Sequence, residues 1–145
     1  MNVRIESIEC EEDEQVLIKC HNVDGDILDI INFIHSKHEI ITGYNNLQIY
    51  QLYLRDIYYF EGVDNKVYAY LKDNIYEIKK KLYELEEIYE KRQFFRCSKS
   101  VLINLLKIES IKPTMNGRFS AKLFNGEQII ISRQYVPKLK RIMQI

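Results

Sequence analysis

Two Asn-Gly pairs, Asn116-Gly117 and Asn125-Gly126, bracket the short run Arg118 to Phe124. Asn and Gly tolerate the positive φ angles that tight turns demand, so each pair marks a hairpin. The spacing predicts a strand over Arg118 to Phe124 with a partner over Glu127 to Ser132, and another strand over Ile108 to Lys112 before Pro113. Strands joined by such short turns must run antiparallel.

The same grammar holds further upstream. From Leu47 the apolar residues follow a strand period. Gln48 to Leu54 and Asp56 to Glu61 are rich in Tyr, Ile and Leu, and Gly62-Val63-Asp64-Asn65 turns into Lys66 to Leu71. A strand is also expected from Val101 to Leu106. Between these runs, Asn74 with Glu77 three residues on resembles a capping box, and Ile75, Ile78, Leu82, Leu85 and Tyr89 make one apolar stripe, so a helix is predicted there. Its charged face carries Lys79, Lys80, Glu84, Glu86 and Glu87 and reads as solvated. A short basic helix is expected to close the chain, from about Gln134 or Pro137 to Met143, with Val136, Leu139 and Ile142 inward.

The N-terminal portion reads differently. Asn2 to Cys10 and Gln15 to Cys20 suggest two strands around the acidic turn Glu11-Glu12-Asp13-Glu14. A helix follows, capped by Asp24 or Asp26, with Ile27, Ile30, Ile31 and Ile34 on one face and an end near His38. The pattern breaks at Thr42-Gly43-Tyr44-Asn45-Asn46. We therefore divide the chain into a strand-strand-helix appendage over residues 1–47 and a main domain over residues 48–145.

Formal charge is zero, but it is unevenly distributed. Residues 1–64 hold four Lys or Arg against thirteen acids, a net of −9, and the remainder hold seventeen against eight, a net of +9. After residue 90 the only acids are Glu109 and Glu127. An acidic front and a basic back point to a polyanionic partner for the back. No apolar run approaches the roughly 18 to 20 residues of a membrane helix, and no signal core opens the chain, so membrane insertion is not expected and a cytoplasmic location is. Cys10, Cys20 and Cys97 form no CxxC pair, which suits a reducing compartment.

Enzymatic signatures are lacking. There is no GxSxG, P-loop or GxGxxG, and the three histidines all lie in the acidic front, so no catalytic residue and no cofactor are expected. His35 and His38 with Cys20-His21 make a weak ligand spacing, and no metal is assigned to them. The back portion instead places Lys99 among Ser98 and Ser100, and Arg133 beside Ser132, each where an apolar segment meets a short polar corner. Asn65-Lys66 sits at another predicted loop end. Arg reads guanine by a bidentate bond and Lys reads the same edge less strictly, whereas Lys138, Lys140 and Arg141 suit phosphates. Tyr58, Tyr59, Tyr68 and Tyr70 read as core and cross-strand pairs before they read as stacking platforms for unpaired RNA.

Taken in order, Asp56 to Glu61, Phe94 to Ser100 with Ile103-Asn104, Ile108 to Arg118, and Asn125-Gly126 through Arg133 resemble the LytTR DNA-binding domain of bacterial response regulators. That resemblance implies an α+β, predominantly β fold of small stacked antiparallel sheets with short helices, here with the N-terminal strand and helix appendage. It also implies that loops, rather than a recognition helix, enter successive major grooves. The base-reading positions it suggests are Lys99, Arg133 and the Asn65-Lys66 loop, with Asn116 and Arg118 in support. The family often has His and Asn where this chain has Ser98 and Lys99, which leaves the type of contact there open. Residues 1–47 are too few for a receiver domain, so a stand-alone member is expected. The reading that follows is a regulator on double-stranded promoter DNA, two copies on repeated half-sites, with residues 1–47 available to a regulatory protein. The alternatives are an interaction module that has lost DNA binding and a single-stranded RNA binder.

Overall fold

A computed structural model describes residues 1–36, 39–90 and 93–145 of the chain. Ten strands and three helices are built from them. α1 (Gly25–Ser36) leads into β1 (Ile40–Asn45), β2 (Gln48–Tyr53), β3 (Tyr59–Val63), β4 (Lys66–Tyr70) and β5 (Ile75–Ile78). α2 (Leu82–Tyr89) precedes β6 (Phe94–Arg96), β7 (Val101–Asn104), β8 (Ile108–Pro113), β9 (Phe119–Leu123), β10 (Gln128–Ile131) and α3 (Val136–Met143). Every pairing is antiparallel. One sheet has seven strands in the order β2-β1-β5-β4-β3-β7-β6, and the other has three in the order β10-β9-β8.

Alternation along the central strands creates two cores. Successive strand side chains point to opposite faces, so Phe60, Leu102 and Phe94 face one way while Tyr59, Ile103 and Phe95 face the other. On the first side, Phe60, Phe94 and Leu102 meet Leu82, Leu85 and Tyr89 of α2. An eight-residue helix is too short to persist alone, and burial of these side chains, at roughly 1.5–3 kcal/mol for a fully buried Leu, holds it. On the second side, Tyr59, Phe95 and Ile103 meet Ala121, Leu123 and Ile131 of the small sheet and Val136 and Leu139 of α3. Asn104 is buried at the end of β7, where its Nδ2 donates to Ile57 O at 2.9 Å and its Oδ1 accepts from Leu106 N at 3.0 Å.

Both Asn-Gly hairpins form. Asn116 and Gly117 take φ of 63° and 73° between β8 and β9, and Gly126 takes 89° between β9 and β10. Pro113 is accommodated because β8 is an edge strand. Asp24 caps α1, its Oδ1 accepting from Ile27 N at 3.1 Å, and the expected end near His38 lies outside the described residues. Tyr58 and Tyr59 are buried, and Tyr59 stacks on Tyr70 with ring centroids 4.4 Å apart, so these rings are core pairs.

Four expectations are corrected. Residues 1–24 form no strand, only a turn in which Glu12 N donates to Glu9 O at 3.0 Å. A lone hairpin around four consecutive acids has too little to hold it, and Val3 and Ile5 stay 87% and 90% exposed. The helix predicted from Asn74 starts only at Leu82, because Ile75 to Ile78 pair with β4 as β5 after a turn in which Leu71 N donates to Asn74 O. The capping carboxylate is Glu84, accepting from Lys81 N at 3.0 Å, not Glu77. Thr42 to Asn45 belong to β1 rather than to a break. Gly43 is a close-packing point, since a Cβ there would lie 2.6 Å from Leu52 Cδ1 and 2.9 Å from Tyr76 Cβ. The turn itself is Asn46-Leu47, so the division proposed at residue 47 falls inside the β1–β2 hairpin. Finally, Ile142 is 45% exposed rather than inward.

Candidate nucleic-acid interface

Four chain reversals meet at one end of the sheets. The first, Cys97 to Ser100, joins β6 to β7. Cys97 is fully buried, with its amide donating to Val101 O at 3.1 Å, and Ser100 N donates to Ser98 Oγ at 3.3 Å. Burial pushes the Cys97 thiol up to about 12, so it is a neutral packing group at the root of the loop. The second reversal is the Asp64-Asn65 turn between β3 and β4, with φ of 51° and 63°. Gly62 N donates to Ser100 O at 2.8 Å and ties these two reversals together.

The third reversal follows β10, where Ser132 begins a turn closed by Tyr135 N donating to Ser132 O at 2.9 Å. Ser132 N also donates to Cys97 O at 2.8 Å, so the Arg133 corner is fastened to the Lys99 corner through main chain alone. The fourth is the Asn116-Gly117 turn, closed by Thr114 N donating to Arg118 O at 2.8 Å. Arg133 lies over Gly117: a Cβ built there would sit 3.0 Å from Arg133 Cδ and 3.1 Å from Cγ. Glycine at this turn thus serves both its positive φ and the passage of the Arg133 stem.

Three of the reversals, those carrying Lys99, Asn116 and Arg133, border an open groove of about 550 Å³. Ser98, Lys99, Asn116, Arg118 and Arg133 line it, together with Ser100, Ser132 and Gln134, and no carboxylate does. A neighbouring groove of about 230 Å³ shares Lys99 and Ser100 and adds Asn65, Lys66 and Lys81, with Asp64 at its edge. Seven of the eight predicted site residues, Asn65, Lys66, Ser98, Lys99, Asn116, Arg118 and Arg133, therefore border these two adjoining grooves. Lys138 does not line either one; it projects from α3 and its Nζ lies 2.8 Å from Glu90 Oε1.

Sequence reasoning passed over Lys81 and Gln134. Lys81 was hidden inside a predicted helix, whereas Gln134 simply follows Arg133 and carries no pattern of its own. The grooves present cations, amides and hydroxyls on a rigid frame near loop ends, groups able to hydrogen-bond a polyanion or a base edge. Among the described residues, no group of three or more His, Cys, Asp or Glu is placed to hold a metal ion, and no helix is long and apolar enough to cross a membrane.

Comparison with known proteins follows the same line. Two transcriptional regulators of Staphylococcus aureus, each named as an uncharacterised HTH-type protein, are similar to this chain. The one from strain bovine RF122 / ET3-1 is 27% identical over 119 residues, covering 82% of this chain and 80% of its own length. The other, from strain NCTC 8325 / PS 47, is 26% identical over 137 residues, covering 93% and 92%. The transcriptional regulatory protein YpdB of Escherichia coli is 26% identical over 118 residues, which are 81% of this chain and 44% of YpdB. In this chain the three helices are separated by strands, so no helix-turn-helix occurs among the described residues. The fold matches a LytTr DNA-binding domain of a putative methyl-accepting/DNA response regulator from Bacillus cereus, with a TM-score of 0.70 at 24% identity over 73% of this chain and 97% of that one. Residues 47–144 match the LytTr DNA-binding domain family, and the chain belongs to it.

Proposed function

We propose that this protein is a sequence-specific transcriptional regulator that reads duplex promoter DNA with loop residues. Arg133, Lys99 and the Asn65-Lys66 turn address base edges in the major groove. Ser98, Asn116 and Arg118 support them, and Lys138 meets a phosphate. The reading rests chiefly on one observation: the Lys99 and Arg133 corners are joined by the Ser132–Cys97 main-chain bond and share a groove free of carboxylates. A single cation on a surface is usually there for solubility. Two held at fixed separation beside Asn116 and Arg118 can match a pattern of acceptors. Two copies bind repeated half-sites, and the segment ahead of β1 is an appendage open to a regulatory protein or a second copy.

The test is selection of randomised duplexes by the purified protein, followed by titration of the winner at several salt concentrations. An enriched motif whose affinity falls on Arg133→Ala by on the order of 1–3 kcal/mol, with relaxed preference at one base pair, is the expected result. Absence of enrichment with only weak, salt-sensitive binding would sink the proposal. It would favour an interaction module, for which the exposed Val3, Ile5, Val16 and Leu17 beside an acidic turn would then be the docking element. Single-stranded RNA binding is disfavoured because Tyr58 and Tyr59 are buried and Tyr70 is stacked on Tyr59.

A further inference from the structure

The Cys97 to Ser100 loop has a support that the DNA-reading assignment does not explain. Arg96, the last residue of β6, turns its guanidinium back over the loop that follows it. Its Nε donates to Ser98 O at 2.7 Å, and a terminal nitrogen, Nη2, donates to Lys99 O. The other terminal nitrogen, Nη1, donates to Glu86 Oε2 at 2.7 Å, and the Arg96 side chain is only 17% exposed. Glu86 stands on α2, which Leu82, Leu85 and Tyr89 pin to the first core. A carboxylate on a rigid helix thus fixes the guanidinium, and the guanidinium fixes two consecutive carbonyls of the loop.

We propose that Glu86 and Arg96 are a positioning pair that sets the backbone of Ser98 and Lys99, and hence where the Lys99 side chain stands in the groove. Neither residue touches DNA in this scheme, which rests on the reading of the groove as a duplex-binding site. Peptide planarity links the carbonyl of Ser98 to the amide of Lys99, and turning the first inward turns the second outward toward a ligand. An arginine suits the task because its planar fork offers donors in several fixed directions; a lysine ammonium is a point charge that cannot hold the same three acceptors in one plane. Arg96 and Glu86 are only 17% and 32% exposed, so desolvation offsets much of their attraction. The consequence of this pair lies in geometry rather than in net stability.

The test uses the full chain with Arg96→Lys and Glu86→Gln, checked for folding by thermal denaturation. Two readouts are taken. The first is amide hydrogen exchange without DNA: exchange at Ser100, whose amide donates to Ser98 Oγ, and at Gly62, whose amide donates to Ser100 O, should rise by about ten-fold while that of Val101 to Asn104 stays unchanged. Unchanged exchange at Ser100 and Gly62 in a folded variant overturns the proposal whatever the DNA results. The second is the ratio of affinities for the selected duplex and a scrambled one. This ratio should fall by about ten-fold, with scrambled-duplex affinity and salt slope unaltered. In a Lys99→Ala background the Arg96→Lys effect on that ratio should vanish, since Arg96 acts through the Lys99 loop. A full effect persisting there would mean a general structural role and would also overturn the proposal. If the wild-type protein prefers no duplex, the DNA reading falls, and the exchange result alone decides whether the pair positions the loop.

Discussion

Ser132 donates its main-chain N–H to the carbonyl of Cys97 at 2.8 Å, and this bond spans the two corners that carry Arg133 and Lys99. Ser132 has φ of −63° and ψ of 145°, a conformation that proline adopts without strain. Ser132→Pro therefore leaves its own backbone angles unstrained but removes the donor and drives a ring carbon into the Cys97 carbonyl, so the two corners must move apart. We expect a stability loss of more than about 1 kcal/mol in denaturant titration, together with loss of preference for the selected duplex. Retention of full preference would show that the two corners are independent.

Gly117 and Gly126 offer a matched comparison. Both have positive φ, at 73° and 89°, so an alanine at either is strained by roughly 1–2 kcal/mol. A Cβ at Gly117 also meets the Arg133 stem at 3.0 Å, whereas at Gly126 it meets nothing within 4 Å. Gly117→Ala should lower both melting temperature and specific affinity, and Gly126→Ala should lower only the first. Equal effects on binding from the two would refute the seating of Arg133 on Gly117.

Asn104→Ala tests the seam beneath the site. The substitution leaves Ile57 O and Leu106 N without the side-chain partners they have at 2.9 and 3.0 Å. Urea unfolding should show a loss of about 1–3 kcal/mol, chiefly from the buried Ile57 carbonyl, since the Leu106 amide is only partly buried. Wild-type stability in this variant would mean that the two groups find other partners.

The thiols should separate cleanly. Cys10 and Cys20 are exposed and Cys97 is buried with its thiol pushed up to about 12, so a thiol reagent at pH 8 should modify the first two at once and Cys97 only on unfolding. The same shift has a consequence for stability. In the unfolded chain the thiol ionises near about 8.5, so between that pH and about 12 the unfolded state has lost a proton that the folded state keeps. Stability contributed by the neutral thiol is complete below about pH 8.5 and declines above it by at most roughly 1.4 kcal/mol per pH unit. Denaturant midpoints for wild type and Cys97→Ala from pH 7 to 10 check this. The wild type should show the steeper fall, and parallel curves would contradict it.

Much of the β framework was legible because turn chemistry is local. Asn116-Gly117 and Asn125-Gly126 announce their hairpins in two residues each, and Lys99 and Arg133 stand out as cations at the ends of apolar runs. What stayed hidden depended on partners distant in sequence. Ile75 and Ile78 fit a helical stripe, but β4 offered them an open edge, and pairing overrode the stripe. Gly43 read as a turn residue because nothing local reveals that Leu52 and Tyr76 crowd it. Arg96 looked like one more basic residue, since its partner Glu86 lies on a helix ten residues earlier and its other acceptors are carbonyls. In the first 24 residues the alternation of Val3 and Ile5 was real, but a strand needs a neighbour as well as a pattern.

The four reversals that border the grooves belong to separate connections, and main-chain bonds join three of them, β3 to β4, β6 to β7 and β10 to α3, while the Arg133 stem packs on the fourth, β8 to β9, at Gly117. The Lys99 side chain and the outer end of Arg133 can thus be exchanged with little cost to the scaffold beneath, whereas Asn65 and Asn116, each at φ of 63°, are confined to residues that tolerate the left-handed region. If the groove reads duplex DNA as proposed, such a surface works like movable type in a fixed frame: a lineage can acquire a new target word by replacing one character at a time, and an engineer can do the same.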